Sequence, residues 1–380
     1  MTTCIIYKFQ PKRVWRPALA LLLSVLLGPA LHFSSSSLHA QQMTDTPTHS
    51  EFILAVDEYS PAPGQWVGEM PVYAPGDTPQ TMADKCTRAI AGPLTATSED
   101  DATSMISLGA WGGYVTFHFD HSIANIAGQR DFYIAGNALV NFSEAGIVMV
   151  MKDENHNGLP DDTWYELAGS ADEDSAGLVR YDYRVTYTLA PMADTPWTDS
   201  EGQEGAVLRN AYHEQNEYFP LWLDSPLTFT GTRLPDNAYI VNKRPRVDGA
   251  RPLRYGYVDN LPNSDEEGNS FDIDWAVDHN RMPVSLDFID FVRVYTAHLE
   301  QVSAAIGESS TEVQGARDLH LDESIRAIAE RKGTVGIATA TVAPRISQTL
   351  DMQGRPTTSL RHGLNIVRTD NGECKKIIVK

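Results

Sequence analysis

The chain is poor in cysteine, in basic residues and in long apolar runs, and each shortage excludes something. It has three cysteines in 380 residues. Cys4 precedes an N-terminal apolar stretch, which leaves Cys86 and Cys374 near opposite ends of the remainder. A disulfide framework of the kind that staples small secreted domains is therefore excluded, and the core must rest on burial. Lysine and arginine number 30 against 50 aspartates and glutamates, a net charge of -20. Phosphate backbones are recognised by clustered basic groups, so no nucleic-acid partner is expected. No apolar run approaches the roughly 20 residues that a membrane-spanning helix needs. Also missing are the Gly-x-Ser-x-Gly elbow, the His-Glu-x-x-His pair and any glycine loop built to cradle phosphate.

The two ends carry what the middle lacks. Lys12, Arg13 and Arg16 precede an apolar stretch at 18–27, Gly28-Pro29 breaks it, and Leu38-His39-Ala40 offers a cleavage site. This pattern predicts a secretory signal peptide over 1–40 and a polar, disordered leader over 41–50. At the other end, residues 341–380 read as three short alternating strands separated by glycine, proline and asparagine turns.

Between the ends, 51–320 reads as a mainly β domain. Period-two alternation recurs at 114–119, 147–151, 184–187, 227–230, 271–275 and 288–295, with Gly, Pro, Asn and Asp between the segments. That grammar predicts an antiparallel, jelly-roll-like β-sandwich. The best helix candidate, 323–332, falls in the 321–340 stretch expected to link the sandwich to the C-terminal strands.

One loop names its own ligand. In DENHNGLPDD at 153–162, side-chain oxygens recur at Asp153, Asn155 and Asn157, Gly158 allows a sharp turn, and Asp161 and Asp162 close the run. Leu159 can add a backbone carbonyl. Calcium takes six to eight oxygens at roughly 2.3–2.6 Å, and this spacing can supply them. A true EF-hand loop would place glutamate at position twelve, where this chain has Trp164. The loop is instead similar to the shorter acidic calcium loops of thrombospondin-type and dockerin-type modules. Calcium here is expected to be structural, and an ordinary acidic turn is the competing reading.

Ligand-contacting side chains are expected in two loop-rich stretches, Tyr212, His213, Tyr218 and Trp222 in one and Tyr255, Tyr257, Asp259 and Asn260 in the other. Aromatic faces suit sugar rings and flat macrocycles, and few polar groups fix the pose. Glu144, Glu166, Asp272, Asp274, Asp287 and Asp290 could furnish a carboxylate pair for glycoside cleavage. With 50 acids in the chain, chance pairing weakens that reading. Asp272 and Asp274 also read as a second cation site or a solvated strand face.

Two resemblances extend these readings. QTLDMQGR at 348–355, GLNIVR at 363–368 and KKIIVK at 375–380 together resemble the C-terminal sorting domain of the type IX secretion system of Bacteroidetes. That implies export across the outer membrane by the type IX machinery, to the surface or beyond. LGAWGGYVTFHF at 108–119, DFYIAGN at 131–137, EAGIVMV at 144–150, WYELAGS at 164–170, IDFVRVYT at 289–296 and GESSTEV at 307–313 resemble Bacteroidetes secreted "cell surface proteins", and more loosely galactose-binding-like jelly rolls. The resemblance implies a neighbourhood of outer-membrane nutrient uptake, corrinoid uptake included, with an uptake receptor as a partner. The resulting expectation is a calcium-stabilised surface protein that captures a glycan or a nutrient cofactor. An extracellular glycoside hydrolase and a structural or adhesive surface protein are the alternatives.

Overall fold

A computed structural model describes residues 49–94, 104–173, 176–210, 212–213, 215–240, 247–303, 305–333, 346–350, 356–357, 363–369 and 374–379. The expected signal peptide and most of the leader lie outside the described residues. The architecture is mainly β, with two α-helices among the described residues. Its frame is a seven-stranded antiparallel sheet that runs Ala55–Ser60, Tyr114–Ala124, Phe288–Thr296, Gly146–Met151, Trp164–Leu167, Ala276–Val277, with Tyr257–Val258 also paired to Gly146–Met151. A four-stranded sheet follows the order Leu227–Arg233, Arg180–Tyr187, Thr195–Asp199, Glu204–Val207. A smaller sheet joins Ser270–Phe271, Phe132–Ala135 and Gly315–Asp318.

Side chains of the large sheet alternate between two cores. Val115, Phe117, Val148, Val150, Val292 and Val294 enter the largest one. Their neighbours Ile147 and Tyr295 face the other way, into a second cluster. Phe288–Thr296 lies between Tyr114–Ala124 and Gly146–Met151, so Val292 sits opposite both Phe117 and Val150. A strand flanked in this way buries both faces, which is why its sequence is apolar almost throughout.

The first core is closed by helix α1, Pro79–Ile90. Sequence periodicity had predicted only strands and turns here, so α1 is a correction. Its start is well specified: Thr78 accepts a hydrogen bond from the Thr81 backbone, the Thr81 side chain accepts one from the Thr78 backbone, and Pro79 occupies the first turn. Met82, Ala83, Cys86 and Ile90 form the buried stripe. Burying side chains such as Met82 and Ile90 contributes about 1.5–3 kcal/mol each. Cys86 is buried and unbridged, and its thiol is pushed up by desolvation.

The second core joins the four-stranded sheet to the frame through Trp111, Tyr183, Val185, Tyr187 and Phe229. Trp111 is delivered by a turn that requires glycine. Gly109 has φ +68°, with Ala62 O about where a Cβ would sit, and Gly112 has φ +87° against the Phe229 ring. Another expectation fails: of the predicted 271–275 strand only Phe271 is paired, in Ser270–Phe271, and Ile273–Trp275 turns as a 3₁₀ helix. The cause is Asp272, whose side chain accepts the Asp274 backbone N–H at 2.9 Å. Asp272 and Asp274 therefore do not share a strand face.

Helix α2, Leu321–Gly333, overlaps the predicted 323–332 helix. Its Ser324 is buried and accepts the Ala124 N–H at 3.0 Å, so this stretch docks on the sandwich where a plain linker was expected. The C-terminal strands Ile346–Leu350, Pro356–Thr357, Gly363–Thr369 and Cys374–Val379 form an antiparallel sheet in the order second, first, third, fourth.

Candidate functional site

A cleft opens where the large sheet and the four-stranded sheet diverge. It has a volume of about 210 Å³ and is walled by Met149, Trp164, Tyr181 and Tyr295, with Glu166, Thr232, Asp182, His279 and Arg281 among its polar groups. Three larger recesses, of about 350, 360 and 670 Å³, have no Phe, Tyr or Trp among the described residues of their walls. Stacking and polar recognition coincide at the smaller cleft.

Each wall has a local cause. Trp164 and Glu166 are alternate residues of one strand, paired with Met151 and Met149 of the next. Tyr181 and Asp182 lie in a β-bulge: between the pairs Gly231↔Tyr183 and Arg233↔Arg180, two residues oppose Thr232 alone. Bulges re-aim side chains and recur beside functional sites. Asp182 there has φ +53°, and Arg281 across the cleft has φ +62°. Left-handed backbone costs a non-glycine residue roughly 1–2 kcal/mol and gathers at ligand clamps. Arg281 is held so by a turn in which Asp278 Oδ1 accepts the N–H groups of Asn280 and Met282, both at 2.9 Å.

The polar groups form one network. Arg281 Nη1 donates to Glu166 Oε1 at 2.5 Å, and the guanidinium lies 4.7 Å over the Tyr181 ring. Glu166 Oε2 accepts from Thr232 Oγ1 at 2.7 Å and from the Tyr295 hydroxyl at 3.3 Å. That hydroxyl in turn accepts the Thr232 N–H at 2.9 Å. Burial first, and the Glu166 charge second, push the Tyr295 phenol well above its ordinary range. Arg293 lies 4.4 Å from the Tyr114 ring and 4.3 Å from the Trp164 ring. It also donates to Thr116 Oγ1 at 2.8 Å and to Glu58 Oε2 at 2.5 Å. Trp164 is thus backed by a cation on a fixed platform.

The residues chosen from sequence fall elsewhere. Tyr212 is 84 % exposed. His213 packs on Trp66 with ring centroids 3.8 Å apart and faces Glu69 at 3.1 Å. Tyr218 is fully buried, its hydroxyl tying Asn210 N to His213 O, and Trp222 is buried between Tyr59 and Tyr73. Tyr255 leans on Trp275, while the buried Tyr257 accepts the Ala171 N–H. Asn260 binds Ser143 and both backbone groups of Leu253. None of the eight lines the aromatic cleft. Five of them (Tyr218, Trp222, Tyr257, Asp259 and Asn260) are core residues, and the polar ends of all but Trp222 knit loops together. Tyr181, Thr232, His279 and Arg281 went unnoticed in the sequence.

Asp259 belongs to a buried carboxyl group set. Oxygens of Glu144, Asp259 and Glu312 lie within 4.8 Å of one another. Asp259 Oδ1 accepts Asn137 N at 2.6 Å, and Oδ2 accepts Glu312 N at 3.0 Å. Glu144 accepts Ser310 N, and Glu312 accepts the Ser310 hydroxyl at 2.8 Å. Burial first, and mutual repulsion within the set, raise the pKa of Glu144 and Glu312, and burial raises Asp259. Burial also pushes nearby Glu308 up to about 7.

The acidic loop connects Gly146–Met151 to Trp164–Leu167 and so leads directly into Trp164 and Glu166. Asp153 accepts Asn157 N at 3.2 Å and Gly158 N at 2.9 Å, and Asn157 Oδ1 accepts Leu159 N at 2.7 Å. Asp162 Oδ2 accepts Glu154 N and Asn155 N. The amides of Asn155 and Asn157 both reach Asp161, at 3.1 and 3.0 Å. Gly158 has φ +73°, as the sharp turn requires. The loop is fastened below by Asp290, whose Oδ2 accepts the Asp153 N–H at 2.8 Å. Asp153, Asn155, Asn157 and Asp161 are thus cross-linked into one oxygen-rich knot, with His156 exposed beside it. Its all-oxygen donors fit a hard cation. No protein-family model matches the chain, and no curated protein matches it in sequence.

Proposed function

We propose that this protein is an exported surface module that binds a glycan in the cleft between its two principal sheets, with calcium in the Asp153 loop as a structural clamp. The observation that carries the reading is the coincidence in that cleft of aromatic faces, Trp164 and Tyr181, with the Glu166–Arg281 pair. Aromatic rings stack on the C–H face of a sugar, while a paired carboxylate and guanidinium accept from and donate to its hydroxyls. Cavities that enclose whole drug-sized ligands run to about 300–1,000 Å³. A volume of about 210 Å³ suits a single sugar ring of a longer chain and leaves a corrin macrocycle outside. Glu166 is held by three donors on its two oxygens, which suits recognition better than proton transfer and places the hydrolase reading second. The signal-peptide pattern and the C-terminal motifs support delivery to the cell exterior by the type IX machinery. The loop motif supports calcium as the clamp's ion, and an uptake receptor remains the proposed neighbour.

The test is a glycan screen in calcium, followed by calorimetry on the best ligand. Trp164→Ala should weaken binding about tenfold, the worth of one well-placed ring contact. Tyr212→Ala, far from the cleft, should leave affinity unchanged. Failure of every glycan to bind, or equal affinity in Trp164→Ala, sinks the assignment. Turnover abolished by Glu166→Gln would move it to the hydrolases.

A further inference from the structure

A second cluster, which shares no residue with the cleft and is independent of the reading above, has metal-ligand chemistry. A ring nitrogen of His49, a ring nitrogen of His121 and an oxygen of Asp120 all lie within 4.8 Å of one another. His49 Nδ1 is 3.4 Å and His121 Nδ1 2.7 Å from the same oxygen, Asp120 Oδ1. The His121 side chain is fully buried, while His49 and Asp120 are 25 % and 26 % exposed. One side of the cluster is therefore open to solvent.

The orientation of His121 is the informative part. Its Nε2 lies 2.8 Å from Asp318 Oδ2, and the Asp318 side chain is fully buried too. Asp318 Oδ1 is occupied by the His320 N–H at 2.7 Å. A carboxylate only accepts, so Nε2 carries a proton toward Asp318, and Nδ1 is hydrogen-bonded to Asp120 while no cation is present. A cation entering there would displace the Nδ1 proton, and His49 turns a second ring nitrogen toward the same Asp120 oxygen. A histidine that gives one N–H to a buried carboxylate and aims its other nitrogen at a second donor is the usual setting of a metal-bound imidazole. Tetrahedral zinc with bonds of about 2.0–2.1 Å holds neighbouring ligand atoms about 3.3 Å apart. The His49–Asp120 separation already matches this, and the His121–Asp120 pair needs only to open slightly.

We propose that His49, Asp120 and His121 bind one divalent transition cation, with zinc the natural occupant, and that Asp318 orients His121 for it. Two imidazoles and one carboxylate favour such a cation over calcium, which prefers oxygen. Three protein ligands leave a fourth position for water at the open side. The bound ion would clasp the chain near its exported terminus to the Tyr114–Ala124 strand. The Ser50 N–H, which donates to Asp120 Oδ2 at 3.0 Å, already begins that attachment.

The experiment is a zinc titration by calorimetry on the full, tag-free protein, stripped of metal and kept in excess calcium so that the Asp153 loop does not compete. One zinc per chain with micromolar or tighter affinity is expected, together with a rise in melting temperature. His49→Ala, at a partly exposed position, should fold normally and weaken zinc at least tenfold. Asp318→Asn should weaken it about 10–100-fold with all three ligands intact. Absence of zinc uptake, or full-strength binding in either variant, overturns the assignment.

Discussion

Two regions of this molecule are built from the same side chains and behave as opposites. The Asp153 loop gathers its carboxylates and amides within ten residues, at the surface, where the oxygens stay solvated or meet backbone and side-chain N–H groups. The Glu144–Asp259–Glu312 set draws on three distant parts of the chain and places its carboxyl groups in the interior. In the loop the charges are cheap to keep, so they can wait for a cation. In the interior they are expensive, so burial favours the protonated form, and oxygens of the set accept N–H groups that fix the backbone. Acid content alone therefore says little about metal binding; burial decides between a cation and a proton.

The largest effect should come from cutting the interior set. Asp259→Ala removes the acceptor for Asn137 N and Glu312 N and leaves a part-buried and a buried donor unpaired. The expected loss is about 3 kcal/mol, the sum of two orphaned groups, read as a lower urea midpoint at unchanged slope. A loss below about 1 kcal/mol would mean that the interior set is no more structural than the loop.

How far the sequence reveals each region follows from the same contrast. The loop is legible because its ligand atoms are local and regularly spaced. So are the strands at 114–124, 180–187 and 227–233, where unequal burial of the two faces imposes period two, and those at 146–151 and 288–296, where burial of both faces gives short apolar runs. α2 is legible from Ile325, Ile328 and Ala329, which recur at helical spacing in the sequence. α1 was legible and overlooked: Thr78-Pro79 with Thr81 is a start signal, and Met82, Cys86 and Ile90 recur at helical spacing. The interior set and the cleft are not legible. Glu166, Tyr181, Thr232 and Arg281 meet only because a bulge, a turn and two sheets bring them together. The loop aromatics misled for a related reason. Tyr218, Trp222 and Tyr257 stand in stretches with little regular structure, yet they fill cores. Loops this long need buried anchors, and large side chains supply them.

Raising the pH should separate the two regions next. Glu308 and Asp131 are each pushed up to about 7 by burial, and Glu144, Asp259 and Glu312 are raised as well. Unfolded carboxylates titrate near 4. Between about pH 4 and pH 7 the unfolded chain loses protons that the folded chain keeps, so stability falls as pH rises through that window. Asp120 and Asp199 are lowered by hydrogen bonds that outweigh their burial, Asp77 is lowered by its bond to Lys85, and burial lowers His298 to about 4; these four oppose the trend. The raised groups outnumber them. At constant calcium the protein should be about 2 kcal/mol more stable at pH 5 than at pH 8, measured by urea unfolding at both values. Glu308→Gln should flatten the slope. Greater stability at pH 8 would show that the interior set is ionised and held by a cation, and would erase the contrast.

The smallest effect should come from the loop itself, and only through its ion. Weak calcium sites of extracellular modules have Kd values of about 10⁻⁴–10⁻³ M. At millimolar calcium and the tighter end of that range, linkage adds about 1.4 kcal/mol, a few degrees in melting temperature for a domain of this size. Chelation should remove that increment in the native protein. Asp153→Ala should abolish the response, because it deletes one ligand and frees the Asn157 and Gly158 N–H groups to water. In calcium-free buffer the same substitution should cost less than about 0.5 kcal/mol, since those N–H groups are exposed and water replaces the lost acceptor. That last comparison is the sharpest. A large loss without calcium would make the loop a structural knot like the interior set, while a small loss joined to a vanished calcium response would confine its contribution to the ion.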